Sequence, residues 1–298
     1  MSALEVGRVT MRHPEKVMYP ATGTTKGELV EYLRTVAPAL LAQLEGRPVT
    51  RVRLPDGMGG ERFFEKNVPR GTPAWVRHRT LRAAPGGPDE GKTVDLPFLD
   101  ELDGLVWALN LGALELHTPQ WRVGPRGGVR NPDRFVVDLD PGPPAGLAEC
   151  VVVARLVADR LRADGLEAIP VTSGSKGLQL YAPLDGKAPV MRVHAYGRSL
   201  ARELAAEHPD LVLATSGRED RTGLVFIDWS QNHPAKTTIT PYSLRAREQP
   251  RVAAPRTWAE LEDPGLAQLD FHEVARRVGT EGDLYPWDLP GGSVPRVD

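Results

Sequence analysis

The sequence predicts a mixed α/β fold, with helices flanking its sheets and an added N-terminal subregion, on three observations. At 298 residues and 41% hydrophobic, the chain can bury a sizeable core. From Arg134 onward its pattern alternates between strand and helix. Ahead of that point lies a long amphipathic helix followed by short strand-like runs.

Taken in order, Thr25 and Glu28 have capping-box spacing and open a helix through Leu29, Leu33, Val36, Leu40 and Leu44, closed by Gly46. Pro48 to Leu54 and Arg62 to Lys66 read as strands, and AAPGGPDEGK reads as an exposed loop. A second helix is predicted over Leu99 to Leu114, running into ELHTPQWR. RFVVDLD, from Arg134, is a strand, and Leu147, Val151, Ala154, Val157 and Leu161 trace one helical face. EAIPV begins another strand, SGSKG turns into the strand LQLYAPL, and VHAYGRSLARELAAEH is a helix. LVLATSGREDRTG reads as a polar loop before the strand LVFIDWS. Thr257 and Glu260 form a second capping box. With no repeat and no dividing linker, residues 1–290 are expected to form one domain and 291–298 a flexible tail.

Composition narrows the function classes. No stretch approaches the roughly 18 apolar residues needed to span a bilayer. The start, MSALEVGRVTMRHPEK, is too polar for a secretory signal, so no membrane partner and a cytoplasmic location are expected. Cys150 is the only cysteine, which excludes an internal disulfide and a multi-cysteine metal site. A metal would be held by carboxylates or imidazoles. The net charge of −2 hides an uneven distribution. Residues 8 to 82 hold fourteen Lys and Arg against seven acids, whereas Thr257 onward holds nine acids against three arginines. That polarity suits a basic face meeting phosphates, and a solvated surface with no partner fits the charge equally well.

Asp138 and Asp140 flank Leu139 in FVVDLDPG, so strand geometry puts both carboxylates on one face. Carboxylates that close repel unless a cation lies between them, which points to Mg²⁺ or Mn²⁺. A solvated strand end is the alternative. Asp228 lies in the apolar strand LVFIDW, where an acid needs either a metal or a buried arginine. Three such acids can hold two divalent ions for phosphoryl transfer. VTSGSKG supplies glycines, hydroxyls and Lys176 that suit phosphate oxygens, and it reads equally as a plain hairpin turn. His117 is either a structural histidine or a contact to a triphosphate. Phe63 and Phe64, beside Arg62 and Lys66, form either a stacking platform for a base or part of a core.

Together these strings resemble the polymerase domain of bacterial ligase D, within the archaeo-eukaryotic primase superfamily. The resemblance covers nearly the whole chain and rests on HPEKVMYP, TGTTKGEL, RFFEK, ALELHTPQW, VVDLDPG, VTSGSKGL, VFIDWSQN, KTTITPYSLR and APRTWAELEDP, in the family's order. It implies a primase-type catalytic core of mixed and antiparallel sheets flanked by helices. It implies a nucleotidyltransferase that fills short gaps and extends 3′ ends in non-homologous end joining, preferring NTPs to dNTPs. Asp138, Asp140 and Asp228 would be the catalytic, metal-binding triad for two Mn²⁺ or Mg²⁺ ions. His117, Ser173, Lys176, Gln179, Arg221, Gln231 and Arg245 would surround the nucleotide. Phe63 and Phe64 would stack on DNA, Phe64 on the incoming base as well, and Lys16 and Lys26 would hold a 5′ phosphate of gapped or broken DNA. A DNA ligase and Ku are the implied protein partners, on the nucleoid.

Three departures from the family pattern stand out. Gln179 replaces a histidine, Leu224 a lysine, and Val52 a lysine. Each removes positive charge where phosphates would lie, although an amide still donates a hydrogen bond. Two other readings fit the sequence: a stand-alone short-gap primase-polymerase acting with a separate ligase, and a catalytically weak module that bridges DNA ends.

Overall fold

The computed structural model of the chain describes residues 3–215, 221–286 and 288–297. The fold consists of two compact units, each gathered from three separated stretches. The first comprises Met1–Thr118, Ile239–Ala254 and Leu269–Leu284; the second comprises Pro119–Thr238, Pro255–Gln268 and Tyr285–Asp298. The chain passes from one to the other five times, so no single linker marks the division in sequence.

In the first unit, helix α1 (Lys26–Leu44) begins with both halves of the capping box formed between Thr25 and Glu28. Such a cap contributes about 0.5–2 kcal/mol. Its buried face, including Leu29, Leu33, Val36, Leu40 and Leu44, packs against α2 (Leu102–Asn110) and α5 (Phe271–Glu281). Helix α2 ends four residues before the predicted Leu114. Gly112 takes φ +83°, and a Cβ there would lie 2.8 Å from the Pro55 backbone, so the chain turns and enters the strand Ala113–Thr118. That strand and Phe63–Glu65 flank Thr50–Arg53, both antiparallel, with Val52 opposite Glu115 on one side and Phe64 on the other. The AAPGGPDEGK segment links the paired strands His78–Arg82 and Thr93–Pro97.

The second unit is built on a six-stranded sheet in the order Val212–Leu213, Val225–Asp228, Arg134–Pro141, Leu178–Pro183, Ile169–Thr172, Ala254–Pro255. Alternation along the Arg134–Pro141 strand separates two faces. Phe135, Val137 and Leu139 point into a core with α3 (Leu147–Ala163) and α4 (Val190–Glu207), joined there by Leu178, Leu180, Val225 and Ile227. Arg134, Val136, Asp138 and Asp140 share the opposite face. Where the Val225–Asp228 strand gives way to the 3₁₀ turn Trp229–Asn232, the Asn232 side chain takes its place. Its amide accepts from Val136 N–H at 3.0 Å and donates to Val136 C=O at 2.7 Å.

The polar loop read at 211–223 contributes the short strand Val212–Leu213, and residues 216–220 of it lie outside the described residues. The stretch read as a tail packs along this unit: Gly292 bridges Leu184 and Val294 is buried. Among the described residues no helix is long and apolar enough to cross a membrane.

Candidate active site

The three candidate carboxylates lie on one face of the six-stranded sheet, the one turned away from α3 and α4. Asp138 is paired directly with Asp228 across an antiparallel ladder, a Cα spacing of roughly 4.5–5.5 Å. Asp140 follows on the same face, opposite Phe226. All three are half-buried. On its other side Asp138 is paired with Gln179, whose Nε2 donates to Asp138 Oδ1 at 3.1 Å. Asp228 Oδ1 accepts from the Ser230 hydroxyl and amide, and its Oδ2 accepts from Gln231 Nε2 at 2.7 Å.

Asp138 accepts from the Gln179 amide, and Asp228 from Ser230 and Gln231. Among the described residues no Lys, Arg or His forms an ion pair with Asp140 or Asp228. Their field is felt below the sheet, where the Cys150 thiol is pushed up to about 12, first by burial and then by the charges of Asp140 and Asp138. An all-oxygen, anionic set of this kind suits a hard divalent cation. Among the described residues no three His, Cys, Asp or Glu are close enough together to hold an ion unaided.

The SGSKG turn has a definite internal order. Ser173 Oγ accepts from the amides of Ser175 and Gly177, each at 3.2 Å. Gln268 spans the turn, accepting from Gly174 N–H and donating to Gly177 C=O. Three of the amides that a phosphate cradle could use are therefore engaged, leaving the exposed Lys176 and the Ser175 side chain outward. Gly177 is fixed by packing: a Cβ there would lie 2.1 Å from Leu139 O. Lys176 Nζ donates to Pro141 O at 3.0 Å, and the Arg221 guanidinium stacks 4.3 Å from the Phe226 ring, whose residue pairs with Asp140.

In the first unit, His117 and Arg245 gather on Glu115, an acid that sequence reasoning left without a role. Glu115 is 1% exposed and accepts from His117 Nε2 at 2.8 Å, Arg62 at 3.3 Å and Ala246 N–H at 3.0 Å, with Arg245 Nε at 3.4 Å. Burial acts to raise its pKa. The His117 hydrogen bond and the charges of Arg245, His117 and Arg62 outweigh burial and bring it down to about 2. The signal available in the sequence was an acid within the apolar run ALELHT. Phe64 lies edge-on to His117 at 6.1 Å and is 60% exposed, with Phe63 at 41%. At that exposure neither ring is part of a core.

Lys26 is buried, and its Nζ donates to Arg12 O, Asn110 O and Asn110 Oδ1. Burial and then the charge of Lys16 lower its pKa to about 8. Lys16 Nζ donates to Pro55 O and pairs with Asp56.

Known proteins resemble this chain closely. The family model described as "LigD, primase-polymerase domain" matches residues 25–285. A relative from Mycobacterium tuberculosis, the "Multifunctional non-homologous end joining DNA repair protein LigD", is 45% identical over 289 residues, which are 95% of this chain and 37% of that protein. The "Bifunctional non-homologous end joining protein LigD" of Bacillus subtilis is 30% identical over 286 residues, 93% of this chain and 44% of that one. The chain thus spans less than half the length of these relatives. The solved "Polymerase Domain from Mycobacterium tuberculosis Ligase D in complex with DNA" superimposes with a TM-score of 0.88 at 44% identity, covering 93% of this chain and 96% of that one.

Proposed function

The chain belongs to the LigD primase-polymerase domain family, a family of nucleotidyltransferases, and from that premise we propose that it extends DNA 3′ ends at breaks and short gaps, taking NTPs in preference to dNTPs. Asp138, Asp140 and Asp228 would hold Mn²⁺ or Mg²⁺ ions, with triphosphate oxygens completing the coordination that the protein alone leaves open. Held by these acids, such an ion would supply charge neutralisation at a phosphate and acidity at an attacking hydroxyl.

The protein's own side chains divide the remaining work. Gln179 and Gln231 present amides to the carboxylates and so fix the oxygens turned toward the nucleotide. Ser173 orders its turn so that Lys176 stays exposed to a phosphate, and Arg221 supplies a second cation. Glu115 holds His117 and Arg245 as oriented donors for a triphosphate, while exposed Phe64, with Phe63 next to it, offers a face to a base. Lys16 and Lys26 take a downstream 5′ phosphate. A DNA ligase and Ku are the partners this activity calls for, on the nucleoid.

One observation carries the reading: Asp138 faces Asp228 in strand register with Asp140 on the same face, and among the described residues no cation pairs with Asp140 or Asp228. Extension of a gapped, 5′-phosphorylated duplex with each NTP and dNTP, in Mn²⁺ and in Mg²⁺, tests it. The proposal expects extension in Mn²⁺, stronger with NTPs. DNA binding without extension in either metal would favour an end-bridging module instead.

A further inference from the structure

Behind Asp228 runs a line of buried polar side chains that nothing in the activity so far uses. Arg134, Gln120 and Thr238 are each about nine-tenths or more buried, at 4%, 3% and 3% exposure. Arg134 Nε donates to Gln120 Oε1 at 2.7 Å, and Gln120 Nε2 donates to Thr238 Oγ1 at 2.9 Å. The Thr238 hydroxyl donates to Gln231 Oε1 at 3.3 Å, and Gln231 Nε2 donates to Asp228 Oδ2 at 2.7 Å.

The direction of this line is dictated by its first member. A guanidinium has donors and no acceptor, so Gln120 must turn its carbonyl to Arg134 and its NH₂ to Thr238. The Thr238 oxygen, having accepted that N–H, has its own proton for the Gln231 carbonyl. Gln231 is then left with its NH₂ toward the carboxylate. An ionised Asp228 calls for the same NH₂, since an amide oxygen facing it would repel, and the relay gives the Gln231 carbonyl a donor in that orientation and none in the other. The same guanidinium lies 5.3 Å from the Tyr181 ring centroid, and the Tyr181 hydroxyl donates to Gln179 Oε1, which leaves Gln179 Nε2 for Asp138.

We infer that Arg134, Gln120 and Thr238 are positioning residues: they set the orientation of the Gln231 amide and thereby fix Asp228 for metal binding. This rests on the proposal that Asp228 holds a divalent ion. Arg134 is on the same strand as Asp138, four residues away and roughly 13 Å along it, so its influence passes through the relay and not by contact with the ion.

Gln120→Glu reverses the relay at nearly constant shape. A glutamate is acceptor-only, and Arg134 neutralises it. Thr238 would then donate to the introduced carboxylate, Gln231 would turn its NH₂ toward Thr238, and its carbonyl would face Asp228. Mn²⁺ binding by the protein, read by loss of the free-ion EPR signal beyond that caused by the same NTP alone, with DNA absent, should weaken about ten-fold or more in this variant. Thr238→Val, which cuts the line, should weaken it in the same direction, and Thr238→Ser should restore it. Wild-type affinity in both Gln120→Glu and Thr238→Val would overturn the relay while leaving the metal reading intact. Failure of the wild type to bind Mn²⁺, or undiminished binding by Asp228→Asn, would overturn the metal reading and the relay with it.

Discussion

Glu115 and Asp138 are both carboxylates placed in otherwise apolar strands, and the two units of the molecule treat them in opposite ways. Glu115 is enclosed and met by Arg62, Arg245 and His117, so its charge is answered inside the protein. Asp138 is half-buried, faces a second acid, and is met by a glutamine amide. An acid met by two guanidiniums and a histidine fixes where those donors point. Asp228, held by the Ser230 hydroxyl and the Gln231 amide and with no ion pair among the described residues, has its oxygens oriented by neutral donors, which suits an ion.

This contrast can be broken most severely at the sheet. Asp138→Ala or Asp140→Ala should abolish primer extension while DNA binding, followed by fluorescence anisotropy, persists; extension at wild-type rates would remove both acids from the chemistry. Next in size is Glu115→Gln, which strands two guanidiniums and a histidine around a neutral amide. Denaturant unfolding should show a loss of about 3–5 kcal/mol, as expected when one partner of a buried ionic cluster is removed. Unchanged stability would mean that the cations, not the acid, organise the cluster.

The Glu115 cluster also has a pH signature. Its folded pKa of about 2 lies below its ordinary value of 4.5, so the folded state binds fewer protons than the unfolded one between them. The stabilisation is complete above 4.5 and is lost as pH falls from about 4.5 toward about 2. Acid titration of the wild type against Glu115→Gln should show that difference shrinking across this window.

Smaller effects belong to single phosphate and base contacts. Lys16→Ala combined with Lys26→Ala should remove about 1.5–3 kcal/mol of preference for a 5′-phosphorylated gap, the size of hydrogen bonds to a charged group. Because Lys26 is lowered to about 8, that preference in the wild type should also fade as pH rises through about 8. Equal losses on 5′-hydroxyl DNA would place these lysines elsewhere in function. Phe64→Ala should raise nucleotide KM by an amount equivalent to about 1–3 kcal/mol, the usual value of one base stacked on a ring.

The sheet was legible because alternation is strict there: RFVVDLD sorts its apolar residues to the core and its acids to the other face. The helix starting after Thr25 was legible for a similar local reason, its capping box. The early end of α2 was not, since it depends on Gly112 packing against Pro55 from a distant part of the chain. Glu115 could be seen as an oddly placed acid, yet its partners Arg62 and Arg245 lie 53 and 130 residues away. The relay from Arg134 to Asp228 was hidden for the same reason. Gln120 and Thr238 meet across 118 residues.

The most direct test of the contrast between the two acids is Mn²⁺ titration by EPR, without DNA and measured against the same NTP alone, of the wild type, Asp138→Asn, Asp140→Asn and Glu115→Gln. The wild type should bind, the two sheet variants should lose binding while keeping their circular dichroism, and Glu115→Gln, which disturbs the triphosphate donors and leaves the sheet acids in place, should retain part of it under conditions where it is folded. Undiminished binding in both Asp138→Asn and Asp140→Asn would contradict the account.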